Sequence, residues 1–241
     1  MINLNHCIWL AFFGATITSF LLGYFSIQRA NKLVLSGCLP SSQRNISWLD
    51  KLGQSNIFIA FTFGAAIFAI FYNNNAPLTW ILFVLSSALV LLNHFNSRIL
   101  SKTATFLLIA SLTACILLLG FFHYQPILLN ATNKPSYLLA IIFFILTVGL
   151  MSFYHFIDDM SSFSMSETIF VLLAAIIGLV YKNIYSPIFP YILTLLGACL
   201  GFLFWSLQFP QIFKKSTTSL FLGLILSFFC IFTIFCGQLS I

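Results

Sequence analysis

Residues 8–27 read IWLAFFGATITSFLLGYFSI, twenty positions without one charged side chain. A hydrocarbon core about 30 Å thick takes about 20 apolar residues of helix, so this stretch has the length and composition of a membrane span. Seven more stretches come close to the same pattern: Ile57 to Tyr72, Thr79 to Leu92, Ala104 to Phe122, Tyr137 to Tyr154, Ser166 to Tyr181, Ile188 to Trp205 and Thr218 to Cys236. All seven prolines (Pro40, Pro77, Pro126, Pro135, Pro187, Pro190 and Pro210) fall between these stretches or at their edges, where a missing N–H and a fixed φ do least harm. Tyr72, Trp80, Tyr137, Tyr181, Tyr191 and Trp205 stand near the expected ends, as an interfacial aromatic belt requires. The sequence therefore predicts an all-α, multi-pass transmembrane helical bundle of about eight spans. It forms a single domain over residues 1–241, without an internal repeat.

Composition leads to the same class. The chain is 61% hydrophobic and 6% charged, with a mean hydropathy of +1.06, whereas an ordinary globular domain carries about 25% charged residues. Ten Lys and Arg with four Asp and Glu cannot cover the surface of a water-soluble chain of this length. The formal charge of +6 does not point to nucleic acid, because the bases flank apolar stretches, where they set topology. Arg29, Lys32, Arg44, Lys51, Arg98, Lys102, Lys214 and Lys215 fall in connections on one side, and Lys134 and Lys182 on the other. The positive-inside rule makes the first side cytoplasmic, so both termini are expected on the outer side. Cys7, Cys38, Cys115, Cys199, Cys230 and Cys236 form no C-x-x-C pair, and five of them lie in apolar runs. They read as small buried apolar side chains, not as a disulfide or zinc framework. Almost no polar residue lies in mid-span, which argues against an ion or proton path.

The candidate chemistry concentrates on the cytoplasmic side. His155-Phe-Ile-Asp158-Asp159-Met-Ser-Ser holds two adjacent carboxylates, hard oxygen donors that suit Mg²⁺ bridging a nucleotide phosphate. A packing reading stands beside this one, in which Asp158 and Asp159 cap the following helix together with Ser164 and with Glu167 in its first turn. Further on, Lys214-Lys215-Ser216 precedes the last span. Lysines and hydroxyls at a helix N-terminus make a phosphate cradle, or else a basic pair that touches anionic lipid and enforces topology. His155 joins them as a substrate-binding candidate, and no H-x-x-x-H or H-E-x-x-H spacing gives it a metal partner.

The order of these segments resembles a known family. MSFYHFIDDMSSFSMSETIFVLLAAIIGLV, from Met151, is similar to the N-F-M-D-G-I-D-G-L-A segment and its S-E-A-x-F-V-x-L continuation in the polyprenyl-phosphate N-acetylhexosamine-1-phosphate transferases. GACLGFLFWSLQFPQIFKKSTTSLFLGLIL, from Gly197, resembles that family's G-A-x-x-G-F-L-x-x-N-x-P-P-A-K-I-F-M-G-D-x-G-S-L-F-L-G, agreeing at Gly197, Gly201, Phe202, Pro210, Ile212, Phe213, Ser219 and Gly223 among others. The likeness thins upstream to Leu100-Ser101 and to Leu39, Pro40, Arg44 and Gly53.

The resemblance implies a bacterial cytoplasmic membrane protein that moves sugar-1-phosphate from a UDP-sugar to polyprenyl (undecaprenyl) phosphate in cell-envelope glycan synthesis. It implies Mg²⁺ held by Asp158 and Asp159, a catalytic role for Asp158, and phosphate contacts from Lys214, Lys215 and Ser216. Several family positions have changed. Phe95 and Asn96 stand where the family has paired aspartates, Ser161 stands at the second aspartate of its motif, and Lys215 and Ser216 replace a glycine–aspartate pair. The alternative expectation is therefore a pseudoenzyme, a membrane scaffold that binds a lipid or a partner protein without catalysis.

Overall fold

A computed structural model describes residues 4–35, 56–71, 137–157, 163–181, 188–208 and 217–235. All six described elements are helices: α1 (Leu4–Leu35), α2 (Asn56–Phe71), α3 (Tyr137–Ile157), α4 (Phe163–Tyr181), α5 (Phe189–Gln208) and α6 (Thr217–Phe235). No strand occurs among the described residues. Two segments, His6–Gln28 of α1 and Phe189–Gln208 of α5, are long and apolar enough to cross a membrane. The expected stretches at 79–92 and 104–122 lie outside the described residues.

The helices fall into two compact units. In the first, α1 packs along α5 and α2, and α5 also meets α4 and α2. Ala11, Ala15, Ser19 and Gly23 recur every four residues on α1 and are all buried. Residues four apart lie on one helix face, and small side chains there let two backbones approach. From α5, Gly197 and Gly201 answer this row. A Cβ added at Gly201 would lie 2.5 Å from the Thr16 carbonyl oxygen and 2.9 Å from Ser19 Cβ, and one at Gly197 would lie 2.7 Å from the Phe12 carbonyl oxygen. From α2, Gly64 closes on the Ala11 carbonyl oxygen in the same way, at 2.9 Å.

Three polar bonds lock this seam. The Ser19 hydroxyl donates to the Ala198 carbonyl (2.8 Å), the Asn56 amide donates to the Ser19 carbonyl (3.0 Å), and the Trp205 indole N–H donates to the Phe20 carbonyl (2.9 Å). Helix-to-helix hydrogen bonds in apolar surroundings contribute about 0.6 kcal/mol each on average. Other hydroxyls fold back onto their own helix, as Thr16 does onto the Phe12 carbonyl (2.8 Å) and Thr62 onto that of Phe58 (2.9 Å), which satisfies these donors without a partner from outside the helix.

The same contacts fix direction. Residue numbers rise together along α1 and α5, from the Phe12–Gly197 approach to that of Gly23 and Trp205, so these helices are parallel. They run oppositely along α1 and α2, where Gly64 meets Ala11 and Asn56 meets Ser19. Ile176, in the second half of α4, packs on a cluster of Cys7, Ile8, Ala11, Phe68 and Leu193 beside Phe189. That contact places the end of α4 near the beginnings of α1 and α5. Only residues 182–188 separate α4 from α5, a length that joins antiparallel neighbours. Pro190 sits in the first turn of α5, where its missing N–H is no loss, and the Ile188 carbonyl accepts from the Tyr191 and Ile192 amides at 2.9 and 3.1 Å.

In the second unit α6 presses Gly223 against α3, where an added Cβ would lie 2.9 Å from the Leu150 carbonyl oxygen. Outward faces in both units are apolar: Phe170 is 72% exposed, Ile177 67% and Ile145 62%.

Three expectations change. The connection expected from Gln28 begins as helix, because α1 runs on to Leu35. Gln28 to Leu35 contains no glycine, proline or β-branched run to stop it, and a span count marks the hydrocarbon thickness, not the helix end. Glu167 stands in the second turn of α4, not the first, because that helix starts at Phe163. Cys230 is exposed, whereas Cys7 and Cys199 are buried as expected.

Candidate functional site

Parallel α1 and α5, with α2 and α4 running against them, give the first unit one common end. There α1 and α5 finish while α2 and α4 begin. The segments that carry the candidate residues attach at this end. Residues 36–55, with Leu39, Pro40, Arg44 and Gly53, join α1 to α2. Residues 158–162, with Asp158 and Asp159, lead into α4, and residues 209–216, with Lys214, Lys215 and Ser216, follow α5. These residues lie outside the described ones. His155 belongs to the last turn of α3. The first unit gathers the helix ends to which the other candidate segments attach.

Two described polar groups at this end have unmet atoms. Asn56 begins α2 and is 1% exposed. Its amide nitrogen reaches the Ser19 carbonyl, while its Oδ1 is enclosed without a partner among the described residues. Glu167 is half-buried, and its Oε2 is likewise enclosed without a partner. Burying a polar atom unpaired costs about 1–3 kcal/mol, so both atoms call for water or a donor arriving from this end.

The donor chemistry of the chain fits Mg²⁺ in kind. Asp158 and Asp159 supply hard carboxylate oxygens, and Glu167, the one acidic residue among the described positions, is a third such group on the helix they lead into. Among the described residues alone, no cluster of three or more His, Cys, Asp or Glu could hold a metal ion.

The structure also brings together a group that the sequence reading passed over. Near the end of α5, Trp205 lies against Phe20 and Tyr24 in the second half of α1, with ring centroids 5.0 and 6.0 Å apart. Phe204 lies 5.4 Å from Phe20, and the Gln28 amide donates to the Tyr24 hydroxyl (2.6 Å). Trp205 reads in the sequence as a membrane-interface marker; in the fold its indole also caps the Gly23 notch of α1. Four-residue spacing of small residues in α1 was the available signal for that contact.

No family model, no curated protein and no solved structure matches the chain. The fold defines a class nonetheless: an all-helical protein with small-residue helix seams and apolar outward faces. Three of the glycines behind the family resemblance, Gly197, Gly201 and Gly223, are each required here by the close approach of a neighbouring backbone. Packing therefore accounts for them without reference to any activity.

Proposed function

We propose that this chain is a multi-pass protein of the bacterial cytoplasmic membrane, built on the plan of the polyprenyl-phosphate N-acetylhexosamine-1-phosphate transferases. The observation that carries the proposal is the common end of the first unit. Connections bearing Arg44, the Asp158–Asp159 pair and the Lys214–Lys215 pair attach there, although they are far apart in sequence. Apolar outward faces such as those of Phe170 and Ile177 support a lipid surrounding, since soluble proteins rarely expose large contiguous apolar patches.

Helix direction supports the span count. With α2 and α4 parallel, the chain between them crosses the membrane an odd number of times, and α3 is one crossing. The stretches at 79–92 and 104–122 then cross together or not at all. Eight spans follow in the first case and six in the second, with both termini on one side in either. Arg98 and Lys102 between the two stretches favour the first.

In the proposed reaction an oxygen of the lipid phosphate forms a bond to the phosphorus of the sugar-1-phosphate, and the bond from that phosphorus to the departing UMP oxygen breaks. Positioning and charge stabilisation supply most of the catalysis in phosphoryl transfer. Asp158 would hold the cation, or the proton at the reacting phosphate, Asp159 would help hold the cation, and Lys214 and Lys215 would neutralise phosphate oxygens as point charges. Mg²⁺, when bound, supplies charge neutralisation on the pyrophosphate. His155 and Ser216 contribute polar contacts to the substrate.

A second reading has its own support. Phe95, Asn96, Ser161 and Ser216 occupy positions where the family has carboxylates, which favours a lipid- or partner-binding scaffold without turnover. The test is transfer of labelled sugar-phosphate from UDP-N-acetylhexosamines to undecaprenyl phosphate in membranes holding wild type or Asp158→Asn. Turnover that disappears in the variant removes the scaffold reading. Wild-type turnover no greater than that of empty membranes removes the transferase reading.

A further inference from the structure

We draw no further inference here: the strongest candidate, the two enclosed acceptors Asn56 Oδ1 and Glu167 Oε2 near the starts of α2 and α4, carries nothing because the structure does not show what donor meets either atom.

Discussion

Gly201 and Gly178 are both helical glycines in apolar runs, and their surroundings give them opposite sensitivities. A side chain at Gly201 would drive into the Thr16 carbonyl and Ser19 on α1, whereas a Cβ at Gly178 meets nothing within 4 Å. Backbone cannot yield as a flexible side chain does, so Gly201→Val is expected to cost about 1–3 kcal/mol through overpacking. Gly178→Ala is expected to leave stability unchanged or to raise it by about 0.5–1 kcal/mol, since alanine is the better helix former. Thermal inactivation midpoints of the purified proteins in one detergent check both. Equal shifts for the two variants would show that α1 and α5 do not approach through Gly201. In the sequence these glycines look alike, one matching a family motif and one not. The fold distinguishes them by what stands opposite. The same holds for Trp205, whose indole N–H meets the Phe20 carbonyl although its position near a span end reads equally well as an interface marker.

Among the elements, α1 departs most from expectation. Its apolar segment ends at Gln28, yet the helix continues to Leu35 and carries Arg29 and Lys32 beyond it. Spin labels at Gln28→Cys and Leu35→Cys are expected to report Cα positions about 10 Å apart, seven steps of helical rise. An extended connection would separate them by about 23 Å, and a distance near that value removes the continuation. Where helices stop is weakly written in an apolar chain. Hydropathy records which residues tolerate lipid, whereas helix ends depend on caps and stop signals, and none intervenes here before Gly37. The starts were more legible: Asn56 for α2 and Tyr137 for α3 fall within a residue of where the apolar runs begin. At α4 the polar lead-in Ser164 and Ser166 obscured a start at Phe163.

For the whole molecule, the parity of crossings decides the topology. A reporter at Asn96 is expected on the same side as one at Asp158 if 79–92 and 104–122 both cross, and on the opposite side if neither does. Cysteine accessibility in intact cells and in opened membranes separates the two outcomes. Opposite sides at Asn96 and Asp158 would reduce the proposed count to six spans.

The sequence by itself determined the all-helical class, through the scarcity of charge and the length of its apolar runs, because those properties are set residue by residue. It also marked the candidate carboxylates and lysines, since few side chains of their kind exist in the chain. Only the tertiary structure decided that α1 runs with α5 and against α2, that Gly197 and Gly201 serve packing, and that the candidate segments attach at a common end. Those facts depend on which backbone stands opposite which, and contacts between residues as distant as Ser19 and Ala198 leave no local trace in composition or periodicity.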